Sequence, residues 1–242
     1  MEPHSPSLEP TSAYDAWHAK LEDDPGGDSP WHRLVLKHLQ SDRDISSRDL
    51  LEIGCGRGGF VARLARERPP PRLLIGADFS RVALEAAARR FTATELRWDL
   101  EDVQALTYSD ASFDTVVSCE TVEHLPDPQR AVGELARVLR PGGRLFLTTP
   151  NYLGLLGLYR GYLRLRGRRF TEVGQPINRL TLLPRTWFWL RKAGLRLECW
   201  DAVGHYLPWP GRPPIALPLD AASPLRPFAL HSIFVAIKSL GR

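Results

Sequence analysis

One stretch constrains this chain more than any other: Leu50-Leu51-Glu52-Ile53-Gly54-Cys55-Gly56-Arg57-Gly58-Gly59-Phe60. The apolar run at 50–53 reads as a buried parallel strand. Glycines then occupy positions 54, 56, 58 and 59, and Phe60-Val61-Ala62-Arg63-Leu64-Ala65 resumes at helical spacing. Strand, glycine turn and helix form the opening crossover of a doubly wound α/β sheet, which takes its ligand at that turn. Glycine permits positive φ and lets a ligand reach bare backbone. The helix start behind it offers unpaired N–H groups.

Two ligand classes use such a turn. Gly54, Gly56 and Gly59 satisfy G-x-G-x-x-G, and Asp78 follows at about the 20-residue distance of the NAD fingerprint. Glu52 decides against that ligand. A carboxylate two residues before the first glycine repels an anionic pyrophosphate and attracts a cation. The segment Glu52-Ile53-Gly54-Cys55-Gly56-Arg57-Gly58 resembles the E-x-G-x-G-x-G motif of class I methyltransferases, whose cofactor, S-adenosyl-L-methionine, is a sulfonium with an ammonium group and no phosphate. The plain alternative, a glycine-rich turn with no ligand, leaves a buried Glu without purpose.

Further motifs extend the resemblance. Arg72-Leu73-Leu74-Ile75-Gly76-Ala77 reads as the second strand, ending at Asp78, with Ser80 capping a helix over 81–91. Glu95-Leu96-Arg97-Trp98 reads as a short third strand followed by Asp99, and Ser112-Phe113-Asp114-Thr115-Val116-Val117-Ser118 as the fourth. The block Cys119-Glu120-Thr121-Val122-Glu123-His124-Leu125-Pro126-Asp127-Pro128, then Leu139-Arg140-Pro141-Gly142-Gly143 before the fifth strand, resembles the O-methyltransferases of ubiquinone biosynthesis. The resemblance covers about 48–152 and implies a Rossmann-like, seven-stranded sheet, mostly parallel with an antiparallel last strand. It places Glu52, Gly54, Gly56 and Gly58 at the cofactor's amino-acid end, and Asp78 with Phe79 at the ribose. It places Asp99 with Leu100 at the adenine, and Glu120 in the same pocket. His124 is the candidate general base, with a pocket-shaping hydrogen bond as the alternative. Glu101 and Asp102 read as solvated loop charges or helix-start residues, and Glu120 and Glu123 as weaker bases. No cluster of metal-ligand spacing suggests an ion, so no metal is expected.

Composition adds limits. No apolar run reaches the about 18 residues of a membrane-crossing helix. The N-terminus lacks signal-peptide character, and Cys55, Cys119 and Cys199 lack C-x-x-C spacing. A cytoplasmic protein, peripheral to the membrane at most, is the expectation. Residues 1–45 read as a tail and lid helices, with 1–12 disordered, a helix over 14–21 and another over 30–40; 46–242 form the methyltransferase domain. Tyr14 and Trp17 read as lid residues or as ordinary helix packing.

Charge is uneven along the chain. Residues 1–150 hold 18 Lys and Arg against 24 Asp and Glu, while 151–242 hold 14 against 4. The basic third implies an anionic partner. Within it, 151–170 interleaves leucines and tyrosines with Arg160, Arg164, Arg166, Arg168 and Arg169 and contains no acid. That pattern suits an anionic membrane surface, a lid, or a helix packed on its domain. Insertions at 151–180 and 204–228 flank the substrate side, and the proline-rich second one reads as having no regular element. Many relatives carry a His where Pro176 stands, before Ile177-Asn178. The implied activity is methyl transfer to oxygen of a small or lipid-like acceptor. The alternatives are an NAD(P)-dependent oxidoreductase and a non-catalytic cofactor-binding adaptor. No nucleic-acid partner is expected, because no Asn/Asp-Pro-Pro-aromatic motif follows the fourth strand.

Overall fold

The computed structural model describes residues 8–20, 26–92, 96–168, 175–209, 214–219 and 223–240. Its strands are β1 (Asp49–Ile53), β2 (Leu73–Asp78), β3 (Leu96–Leu100), β4 (Phe113–Cys119), β5 (Leu139–Pro150), β6 (Leu195–Val203), β7 (His205–Leu207), β8 (Ile215–Leu217) and β9 (His231–Lys238). Seven form one sheet in the order β3-β2-β1-β4-β5-β9-β6, and β7 and β8 pair as a separate ribbon. The pairings from β3 through β5 are parallel, and β9 runs antiparallel between β5 and β6. The helices are α1 (Leu8–His18), α2 (Pro30–His38), α3 (Gly59–Leu64), α4 (Arg81–Arg90), α5 (Pro128–Val138), α6 (Leu155–Leu165) and α7 (Leu183–Lys192).

Every residue of β1 is buried, as its apolar run demands of a strand covered on both faces. Leu51 and Ile53 pack on one face with Val116, Leu135 and Leu147. Leu50 packs on the other with Phe60, Val61, Val117 and Phe146. Strand alternation therefore aims Glu52 to the same side as Leu50. The order reverses between β1 and β4, so the carboxyl ends of these two strands flank the crevice where such sheets bind ligands.

The sheet and its antiparallel strand are as expected, and several boundaries are corrected. α1 begins at Leu8, inside the stretch expected to be disordered, because it docks: Asp15 accepts from the Ser80 hydroxyl and from Val82 N–H at the start of α4. Residues 1–7 and Leu21 lie outside the described residues. β3 continues through Asp99 and Leu100 instead of ending at Trp98, and pairs with β2 as far as Leu100 opposite Asp78; Glu95 lies outside the described residues. Ser80 and Asp127 cap α4 and α5 through their side chains. The proline-rich 204–228 does contain regular structure. The proline-free triplets His205-Tyr206-Leu207 and Ile215-Ala216-Leu217 pair as the ribbon, leaving the prolines outside the ladder.

Candidate functional site

A cavity of about 270 Å³ opens at the carboxyl ends of β1 and β4. Gly54, Gly56 and Gly59 form its floor, Asp78 and Phe79 one wall, and Cys119, Glu120, Thr121 and His124 the other. Tyr14, Trp17 and His18 of α1 lie across it, with Trp31 and His32 of α2 beside them.

The turn owes its shape to glycine at two positions. Gly54 has φ +75°, and a Cβ there would stand 2.2 Å from Thr121 Oγ1. Gly58, the N-cap of α3, has φ +77°, and a Cβ would stand 2.3 Å from the Trp98 ring. Gly58 is not among the residues that line the cavity. Its bare Cα admits Trp98 of β3 behind the turn.

Glu52 is 2% exposed, and its Oε2 has no hydrogen-bond partner. Burial pushes its carboxyl well above the ordinary range, and nearby Asp78 adds to the shift. Asp78 is tied down: one carboxylate oxygen accepts from Gly56 N–H at 2.8 Å and the other from Ser80 N–H at 2.9 Å. Burial raises its pKa too, opposed by those N–H groups and by His18. A phosphate would meet two buried carboxyls here, whereas a cation would meet an acceptor lacking a donor.

His124 ends a 3₁₀ turn after β4. Its Nδ1 sits 2.6 Å from the carbonyl of Ile177. A carbonyl only accepts, so Nδ1 carries the proton and the neutral ring presents a bare Nε2. Burial lowers its pKa to about 4, which keeps the ring neutral at ordinary pH. The Tyr14 hydroxyl donates to the same Ile177 carbonyl at 3.3 Å, and the Tyr14 ring meets Phe79 edge-on at 5.1 Å. Glu120 adopts φ +48°. Its N–H donates to Thr148, and its carboxylate lies 3.7 Å from His231.

Two expected cofactor residues stand at the end of β3. Asp99 is within β3, where its carboxylate accepts from Arg97 at 2.6 Å and from the Tyr108 hydroxyl at 2.9 Å. Leu100 is 48% exposed. Neither lines the cavity. Glu101, expected in solvent, is buried; it accepts from Thr107, and its own N–H donates to the Asp78 carbonyl. Residues that sequence reasoning passed over do line the cavity. His18 stands one helical turn after Tyr14, and its Nδ1 is buried without a partner. His32 accepts from Ser29 N–H through Nδ1, stacks on Phe60, and has its pKa lowered by burial to about 4. Helical spacing from Tyr14 and the capping position after Ser29 were the available signals. Ligand atoms of His32, Glu52 and Cys119 lie within 4.8 Å of one another and form a candidate ion site. Burial pushes the Cys119 thiol and the Glu52 carboxyl toward their protonated forms, which weakens that set, since ligation needs them deprotonated.

Residues 51–147 match a protein family described as a methyltransferase domain. The 27-O-demethylrifamycin SV methyltransferase of Amycolatopsis mediterranei is 33% identical over 165 residues, 65% of this chain and 57% of that protein. The ubiquinone biosynthesis O-methyltransferase of Coxiella burnetii is 30% identical over 118 residues, 48% of this chain and 49% of that protein. The chain thus spans about half the length of the curated relatives it matches. Among solved structures, a SAM-dependent methyltransferase of Methanosarcina mazei superposes with a TM-score of 0.62 at 21% identity, covering 86% of this chain and 98% of its own. The fold is that of the class I, S-adenosylmethionine-dependent methyltransferases. The match to the methyltransferase-domain family falls on residues 51–147, which run from β1 into β5.

Proposed function

We propose that the chain is an S-adenosyl-L-methionine-dependent methyltransferase acting on oxygen of a small or lipid-like acceptor. The observation that carries the reading is the buried, unpartnered Glu52 oxygen facing a glycine turn at the sheet's switch point. A cation restores the missing interaction, and the cofactor's amino-acid end supplies an ammonium. The residues present therefore fit the cofactor. Glu52 and the turn hold that end, Asp78 and Phe79 the ribose side, and α1 closes over them. When bound, the cofactor contributes a methyl group already activated by its positive sulfur. The chain's own work is to align the acceptor and exclude water. His124 Nε2, bare in the neutral ring, takes the acceptor hydroxyl's proton. Oxygen as the acceptor atom is supported by the O-methyltransferases among the relatives.

The lipid-like character of the acceptor is supported by α6. Leu155, Leu158, Tyr162 and Leu165, spaced as one helical face, are all exposed, and of the helix only Leu156 is buried. Such a stripe with arginines beside it suits an anionic membrane surface. No helix among the described residues is long and apolar enough to cross a membrane. Titration calorimetry with S-adenosylhomocysteine and with NADH tests the cofactor assignment. The homocysteine compound should bind and NADH should not. The reverse result favours an oxidoreductase, and tight cofactor binding without turnover on any acceptor pool favours an adaptor.

A further inference from the structure

The arginines of 151–170 do not spread evenly around α6. Gly157, Arg160, Gly161 and Arg164 fall at i, i+3, i+4 and i+7 and share one face. That face lines a second cavity, of about 500 Å³, closed opposite by Arg179, Arg185 and Trp189. Among the described residues its lining includes four arginines and no carboxylate. A Cβ on Gly161 would meet nothing within 4 Å, so the cavity is open along the helix.

Three of the four guanidinium groups are held by neutral groups. Arg160 donates to the Asn178 side chain at 2.6 Å and to its carbonyl, and lies over the Tyr152 ring at 4.6 Å. Arg179 Nε donates to the Leu125 carbonyl at 2.6 Å. Arg185 lies 5.4 Å over the buried Trp189 ring. Arginines at the other end of the sheet instead meet acids: Arg137 pairs with Glu134 and Asp110, and Arg140 with Asp49 and Asp114. Like charges gathered round one cavity repel one another. Planar guanidinium forks fixed in advance match phosphate oxygens.

We propose that this cleft binds a phosphate group, carried by a free phosphate monoester or by a lipid headgroup. The inference stands on the cleft alone and does not depend on the methyl-transfer reading.

The test uses the full chain with phenyl phosphate in calorimetry and, separately, sedimentation with phosphatidylglycerol or phosphatidylcholine vesicles. The double variant Arg164→Gln/Arg185→Gln removes two headgroups, and Gly161→Leu fills the space without touching charge. Phenyl phosphate binding that weakens about tenfold or more in either variant supports a free monoester as the source. Sedimentation with phosphatidylglycerol alone, lost in both variants, supports a headgroup. S-adenosylhomocysteine binding should stay unchanged throughout, which separates this site from the first. Failure of the wild type to bind either probe overturns the proposal, and so does binding that survives in both variants.

Discussion

The two cavities gather side chains of opposite charge and hold them in opposite ways. The crevice at β1 and β4 hides Glu52 and Asp78 from water, and burial pushes both toward their neutral forms. The cleft beside α6 keeps its guanidinium groups permanently charged and steadies them with carbonyls, an amide and aromatic faces. Charge in the first place is disfavoured by burial, and a cation would offset that cost. Charge in the second place stands ready. The crevice is thus built to discriminate and the cleft to attract.

Removing a buried carboxyl should have the largest effect. Glu52→Ala, or Asp78→Ala, should weaken S-adenosylhomocysteine binding by a factor of about 100 or more, because a paired charge-assisted hydrogen bond in a dry site is lost. Unchanged affinity in calorimetry would remove the cofactor assignment. Arg164→Gln/Arg185→Gln should leave that affinity alone, and a matching loss there would erase the distinction between the cavities.

Backbone tolerance should separate the two regions next. Gly58→Val puts a branched side chain at positive φ against the Trp98 ring and should cost about 3 kcal/mol or more by urea unfolding. Gly161→Ala, helical with open space before it, should gain about 0.5–1 kcal/mol. Similar midpoints for the two variants would show that the turn is not under the constraint its geometry implies. Within the crevice, His124→Ala should lower turnover about 100- to 10,000-fold without altering cofactor affinity. Full activity would reduce His124 to its bond with Ile177.

How much of each cavity could be read in the chain follows from how each is assembled. The crevice comes from contiguous motifs, so Glu52, the glycines, Asp78, Phe79, Glu120 and His124 were all legible, and the structure brings all but Gly58 to the cavity lining. Asp99 and Leu100 stand at the end of the third strand, which keeps its ladder with β2 for two residues beyond Trp98. His18 and His32 enter from separate helices whose docking no local pattern encodes. The cleft draws on α6, the 178–182 segment and α7. Its charge was visible as an excess of arginine, but which arginines converge depends on tertiary packing. Of the two α6 glycines in the lining, Gly161 faces open space while Gly157 lies close against the Tyr152 carbonyl, a difference no local pattern reveals.

Proton linkage offers the finest probe of the difference. His32 and His124 have pKa values near 4 through burial, against about 6.5 in the unfolded chain. The unfolded state therefore binds more protons between those values. Stability from these two rings is full above about pH 6.5 and falls as pH drops toward 4, by about 1.4 kcal/mol per pH unit for each. Glu52 and Asp78 act in the other direction. Their raised pKa values mean the folded state holds protons the unfolded chain has released, so their burial costs stability as pH rises above the ordinary carboxyl range. Glu52→Gln removes one of these opposing contributions. Its stability should fall more steeply than the wild type's between pH 6.5 and pH 5, when urea midpoints are compared across that window. Arg164→Gln/Arg185→Gln should run parallel to the wild type, because guanidinium groups do not titrate there. Parallel curves for wild type and Glu52→Gln would mean that Glu52 is already ionised in the free protein, and the charge of the crevice would then be no more hidden than that of the cleft.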